Sequence, residues 1–179
     1  MEALAGTIPT NSNFNNLLKS SKDLKEHNYV IHYLIKCLGI LKITNFKKSD
    51  TKVNSFGNIS HLQTLIFSKV EHICPFELLK NLHPSPAVCG YPKNKALEWI
   101  NTLESFPRGN YASPMGWVDS SGNASFLVAI RGARYFEENI EFTAGSGIVS
   151  ESVLDKEIDE IKLKFESIVK QIFFAKNPR

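Results

Sequence analysis

Three glutamates and a lysine form the most suggestive chemistry in this sequence. Glu26 lies one helical turn before Val30, on the side that also carries Leu34, Cys37 and Leu41. A carboxylate beside a buried face needs a cation, a hydrogen-bond donor or a raised pKa. The macrodipole alone would also favour an acid in the first turns of a helix. Glu157, Glu160 and Lys164 share one face of a second helix, beside a stripe of isoleucines. Two carboxylates one turn apart can hold Mg²⁺, which takes oxygen ligands and keeps several waters. Glu160 and Lys164 also fit a surface ion pair, worth only about 0.3–0.5 kcal/mol.

Other candidates are more ambiguous when taken singly. Ala144-Gly145-Ser146-Gly147 follows a strand, and its glycines could bring backbone N–H groups close to an anion. A dinucleotide fingerprint fails there, because Ser150 stands where the last glycine belongs and no helix opens. The default is a tight strand end. Arg131 ends the apolar run Phe126–Ile130, where its planar fork could clamp a carboxylate or simply reach water. His61, between Ser60 and Leu62, is either a satisfied core histidine or an active-site group. Trp99 and Trp117 read as packing residues.

The elements that would position these groups follow from the pattern. Residues 1–16 read as a short strand and a polar loop from Asn11 to Asn16. Ser20 and Asp23 fit the start of a long helix as a capping pair, with Val30, Leu34, Cys37 and Leu41 as its apolar stripe. Residues 42–58 are polar and lysine-rich, a loop with one weak strand. Ile59–Val70 is expected to be a strand. Pro75–Leu82 and Lys93–Leu103 suit short helices, separated by a stiff turn at His83-Pro84-Ser85-Pro86. Strands dominate from Tyr111 to Val149, with turns at Ser120-Ser121-Gly122-Asn123 and Glu137-Glu138-Asn139. A last helix should span about Val153–Phe174, capped by Ser152 with Asp155. Its expected buried stripe is Ile158, Ile161, Phe165, Ile168 and Ile172. The fold class is α+β, with antiparallel strands and packed helices.

Composition narrows the classes. The chain has 179 residues, 42% hydrophobic and 22% charged, with a formal charge of +3. Those values suit one ordinary globular domain or part of a larger one, and argue against disorder and disulfide-dense scaffolds. The lysines are scattered, so nucleic acid is not an expected partner. Three cysteines without a CxxC pair suggest neither a disulfide framework nor a zinc site, and fit reduced thiols in a cytoplasmic setting. No apolar run approaches the roughly 20 residues of a membrane span, and the first residues carry no secretory signal.

Taken in order, several segments resemble the C-terminal part of the chorismate-binding enzymes, most closely the isochorismate synthase branch. They are Glu2-Ala3-Leu4-Ala5-Gly6-Thr7, Ser21-Lys22-Asp23-Leu24-Lys25-Glu26-His27, His83-Pro84-Ser85-Pro86-Ala87-Val88-Cys89-Gly90 and Ser105-Phe106-Pro107-Arg108-Gly109. Gly116-Trp117-Val118-Asp119, Ala129-Ile130-Arg131, Ala144-Gly145-Ser146-Gly147-Ile148-Val149 and the helix with Glu157, Glu160 and Lys164 complete the set. The resemblance covers nearly all of the chain except about residues 42–58.

The resemblance implies a partial chorismate-binding α/β sandwich of the anthranilate synthase component I type. It implies Mg²⁺ held by Glu26 and Glu160, with Glu157 in support. Gly6, Thr7, Ala87, Val88, Tyr111, Arg131, Gly145, Gly147 and Lys164 correspond to substrate-binding positions, and His61 to an active-site histidine. The implied activity is Mg²⁺-dependent isomerisation of chorismate to isochorismate, serving menaquinone, phylloquinone or siderophore biosynthesis. The family's base lysine and acid glutamate belong upstream of Leu4-Ala5-Gly6-Thr7. Residues 1–179 are therefore expected to be the C-terminal portion of the domain, with its upstream half absent and turnover incomplete unless a partner polypeptide supplies that half. The alternatives are a non-catalytic chorismate-binding module and a salicylate synthase-like enzyme.

Overall fold

The computed structural model describes residues 1–70 and 73–174. The described chain runs β1 (Glu2–Pro9), α1 (Phe14–Lys19), α2 (Ser21–Ile40), β2 (Phe46–Lys48), β3 (Lys52–Phe56), β4 (Ile59–Ser68) and α3 (Pro75–Leu82). It continues with α4 (Pro86–Cys89), α5 (Lys93–Leu103), β5 (Pro114–Val118), β6 (Ala124–Val128), β7 (Ala133–Phe136), β8 (Asn139–Phe142) and α6 (Leu154–Phe174). This is the expected α+β arrangement, with every strand pair antiparallel.

The long strand β4 organises the main sheet. It pairs with β1 along one edge, and with β2 and β3 in succession along the other. Its residues alternate between two faces. Ser60, Leu62, Thr64 and Ile66 share one face, and His61 and Gln63 share the other. The first face meets α2, where Ala3, Ala5, Val30, Ile31, Leu34, Leu38, Ile43 and Ile66 form the core. Helix α6 touches both β1 and β4. The glutamates of α2 and α6 are thereby brought to one end of the sheet.

Local chemistry fixes the ends of α2. Ser20 Oγ accepts from the Asp23 backbone N–H at 3.2 Å, a cap worth about 1 kcal/mol. At the other end Ile43 N donates to Leu38 O at 2.8 Å and Lys42 N to Gly39 O at 3.0 Å. Lys42 takes φ +58°. This is a Schellman closure with lysine where glycine is usual, and it turns Ile43 into the core.

Several local expectations need correction. Asn13 caps a short helix, α1, through the Asn15 N–H, inside and beyond the expected polar loop. Residues 42–58 hold two strands, β2 and β3. Both are short and polar and owe their form to the backbone edge that β4 presents. Part of the expected turn at His83–Pro86 opens α4, with Pro86 in its first turn. Ser152 does not cap α6 at Asp155; its hydroxyl accepts from Val149 N–H instead. Only Ile168 of the expected α6 stripe is fully buried, and Ile158 and Ile172 are exposed. The helix turns Glu157, Ser167 and Ile168 inward, because it packs by the edge that carries its charged residues.

Among the described residues no helix is long and apolar enough to cross a membrane. Cys37, Cys74 and Cys89 are free thiols.

Candidate active site

The site forms where the first turns of α2, the loop 143–150 and the first turns of α6 converge. A cavity of about 660 Å³ opens there, walled by Glu26, Ala87, Val88, Tyr111, Arg131, Gly145, Gly147 and Lys164. All eight were singled out in the sequence, and they come from six separate stretches. A second cavity, about 600 Å³, is lined by Thr7, Lys22, Glu157 and Glu160 among others. The charged groups at the root of α2 and α6 lie between the two openings. Gly6 and His61 line neither cavity; they sit behind Arg131.

Glu26 is the most constrained acid of the set. No hydrogen-bond donor or ion-pair partner among the described residues reaches its carboxylate. Burial, and next the neighbouring Glu160 carboxylate, push its pKa up to about 7 against the pull of Lys164 and Lys22. A Cβ on Gly147 would stand 2.7 Å from Glu26 Oε1, so a larger residue there would push the carboxylate from its place. Glu160 Oε1 pairs with Lys164 Nζ at 2.7 Å, and that Nζ also donates to Gly145 O at 2.7 Å. Lys164 thus ties α6 to the glycine loop.

Two residues, Lys22 and Ser146, were quoted within segments of the sequence without a role of their own and prove central. Lys22 Nζ lies 2.5 Å from Glu157 Oε1 and 3.9 Å from Glu160 Oε2. Ser146 Oγ donates to Glu157 Oε2. Glu157 is only 3% exposed, and its Oε1 has the ion pair but no well-aligned hydrogen bond. Burial pushes the Glu157 pKa up, yet the Lys22 and Ser146 bonds outweigh this and hold it below the ordinary carboxylate value. Lys22 could have been found from its spacing, one turn before Glu26 on the same helix face.

Arg131 sits beyond the end of β6, at φ +58°. Its guanidinium is half-buried: Nη2 lies 3.4 Å from His61 Nε2, and the buried Nη1 has no partner. Burial lowers its pKa from the usual value. Arg131 lines the first cavity, and a guanidinium with an N–H left unpaired fits an arriving carboxylate. His61 Nδ1 donates to Gly6 O at 2.6 Å and lies 3.3 Å from Thr7 Oγ1. Burial first, with Arg131 and Lys164 adding to it, drives the His61 pKa down to about 4 despite the Gly6 carbonyl. The ring is therefore neutral near pH 7, with its Nε2 lone pair turned toward Arg131. Tyr111 packs under Arg108, whose fork grips Glu104 and whose Nη1 donates to Val88 O at 2.7 Å.

The donor set suits a hard cation. Two carboxylates approach from α2 and α6, and Glu26, half-buried, has no donor among the described residues. No group of three or more His, Cys, Asp or Glu side chains among the described residues forms a ready cage. Mg²⁺ takes oxygen ligands and is commonly held by one or two carboxylates, with water and a ligand completing its shell. The residues present fit that ion.

Residues 1–173 match the family described as chorismate binding enzyme. The vibriobactin-specific isochorismate synthase of Vibrio cholerae is 33% identical over 155 residues, covering 86% of this chain and 39% of that protein. The salicylate biosynthesis isochorismate synthase of Pseudomonas aeruginosa is 34% identical over 174 residues, covering 93% of this chain and 37% of that protein. Among solved structures, MenF, the menaquinone-specific isochorismate synthase of Escherichia coli, superposes with a TM-score of 0.81 at 26% identity, covering 93% of this chain and 40% of that one. The chain spans about two fifths of the length of these relatives.

Proposed function

We propose a function from one premise, that this chain belongs to the family of chorismate-binding enzymes: it carries the metal- and carboxylate-holding part of an isochorismate synthase site. The supporting observation is the half-buried Glu26 carboxylate, without a donor among the described residues, influenced by Glu160 and set against the Gly147 backbone. Glu26 and Glu160 would hold Mg²⁺. When bound, that ion supplies positive charge that orients a ring carboxylate and neutralises it.

The remaining roles follow from the chain's own groups. Arg131 offers its free Nη1 to a substrate carboxylate. Its Nη2 is steadied by the neutral His61, whose opposite nitrogen is fixed by Gly6 O. On this reading His61 positions Arg131 and does not transfer a proton. Thr7 stays behind that pair. Lys164 and the Gly145 and Gly147 backbone complete the anion-binding rim, and Ala87, Val88 and Tyr111 form the wall against the ring. Glu157 supports the metal-holding pair through Lys22 and Ser146.

The reaction adds water at one ring carbon while hydroxide leaves another, which needs a base and an acid. The roles given to the groups above leave both tasks unassigned. The base and the acid would come from polypeptide equivalent to the rest of the relatives, docked on the faces this chain leaves apolar and exposed.

Calorimetric titration with Mg²⁺ and chorismate, with isochorismate followed in parallel, tests the proposal. Binding that needs Mg²⁺ and disappears in Glu26→Gln and Glu160→Gln is expected, with weak or no turnover by this chain alone. Binding that survives both substitutions would refute the site. Robust turnover would refute the need for further polypeptide.

A further inference from the structure

Lys22 occupies an unusual place among these acids. Its ammonium is 2.5 Å from Glu157 Oε1 but 3.9 Å from Glu160 Oε2. The other Glu157 oxygen is held by the Ser146 hydroxyl. Glu160 Oε1 is taken by Lys164 at 2.7 Å. The oxygen of Glu160 less engaged by the chain is therefore Oε2, and Lys22, drawn aside by Glu157, stands 3.9 Å from it. A divalent ion between Glu26 and Glu160 would meet that ammonium within a few ångströms. At such a range two positive charges repel strongly in a half-buried setting.

We propose that Lys22 is a resident counter-cation of the metal site, and that Glu157 restrains it away from Glu160 so that a divalent ion can enter. The proposal rests on the reading of Glu26 and Glu160 as the metal-holding pair. It gives Glu157 a task distinct from ligation: it sets the position of a competing charge. It also gives Ser146 a task, since its hydroxyl fixes the Glu157 carboxylate that holds the lysine. Affinity for the divalent ion is thus set by the balance between Lys22 and Glu157.

The two residues make opposite predictions. Without the ammonium, the carboxylate pair loses its competitor, and Mn²⁺ binding to Lys22→Met should tighten by about tenfold. In Glu157→Gln the lysine is free to swing to Glu160 Oε2, and binding should weaken by about tenfold. The double variant Lys22→Met, Glu157→Gln should bind at least as well as the wild type, because the lysine freed by the second change is gone. Lys22→Arg keeps the charge and should behave as the wild type.

Mn²⁺ titration of the intact chain, read by electron paramagnetic resonance at fixed ionic strength, decides the matter. Thermal unfolding of each variant checks its folding, and Lys22→Gln replaces Lys22→Met if the latter does not fold. Unchanged or weaker binding in the Lys22 variant overturns the proposal. So does a double variant as weak as Glu157→Gln, which would make Glu157 a ligand. Binding that is indifferent to Glu26→Gln and Glu160→Gln sinks the metal site itself and is distinguishable from both. Binding that is measurable only once Lys22 is replaced supports the proposal, and none in either protein overturns it together with the metal site.

Discussion

A single carboxylate shows how placement becomes chemistry. Glu26 is held near pKa 7 because burial, and then Glu160, disfavour its charge. Between its ordinary value of 4.5 and about 7 the folded chain keeps a proton that the unfolded chain releases. Its contribution to stability is therefore greatest below pH 4.5 and declines as pH rises through that window. A cation reverses the penalty, since it binds the ionised form. Apparent Mg²⁺ affinity should fall about tenfold for each pH unit below 7, as one proton competes for the site. Mg²⁺ should accordingly raise the unfolding temperature at pH 7.5 and have little effect at pH 5, a difference that Glu26→Gln abolishes. An equal Mg²⁺ effect at both pH values would remove Glu26 from the site. The inward placement of this acid was legible from its spacing to Val30. The lysine that shares its face was equally legible, yet a lysine in a first turn looks like solvent-facing charge. What marks Lys22 out is Glu157, a partner 135 positions away in the chain that local spacing cannot bring near it.

Elements carry a second kind of constraint, the buried polar contacts between α2 and the sheet. His27 is 1% exposed; its Nε2 lies 2.8 Å from Thr64 Oγ1, which is itself 2.9 Å from Thr51 Oγ1. Burial, and secondarily Lys48, lower the His27 pKa to about 4. The unfolded chain binds a proton near pH 6.5 that the folded chain refuses until about pH 4. Stability from this residue is complete above pH 6.5 and falls as pH drops through the window, by on the order of 3 kcal/mol. His61 behaves in the same sense, so the two histidines outweigh the opposite contribution of Glu26 between pH 4.5 and 6.5. Chemical denaturation at pH 7 and at pH 4.5 should show the loss. Thr64→Val, which leaves the His27 ring without its partner, should cost about 1–3 kcal/mol at pH 7. A flat profile would mean that His27 is not buried in its neutral form. The elements that carry a strong period or cap were readable beforehand: α2 from Ser20 and its stripe, and α5 from Lys93 to Leu103. Strands β2 and β3 were not, because Lys47, Lys48 and Lys52 carry no alternation and are ordered by the backbone of β4. The isoleucines of α6 misled for the converse reason. Their spacing is helical, but the edge that packs is set by Glu157 and Ile168.

At the scale of the whole molecule, the apolar residues left outside the core decide how this chain behaves. The hairpins β5–β6 and β7–β8 are separate two-stranded sheets that do not join the sheet around β4. Isolated two-stranded ribbons are marginal in water. Met115, Trp117 and Leu127 are exposed on the first and Tyr135, Phe136 and Ile140 on the second, with Ile148 and Leu154 both 74% exposed nearby. Large apolar patches of this kind mark association surfaces in soluble proteins. The relatives carry more than half of their length beyond the part this chain matches, which supplies a candidate cover of the right size. Alone, the chain should self-associate with rising concentration, seen as a growing weight-average mass in sedimentation equilibrium. Leu127 and Tyr135 line neither cavity, so Leu127→Glu and Tyr135→Glu should suppress that association while leaving Mg²⁺ binding intact. Co-expression with the complementary segment of a relative should replace self-association by a one-to-one complex, and the same substitutions should weaken it. A chain that stays monomeric at high concentration and ignores that segment would show that these faces need no cover.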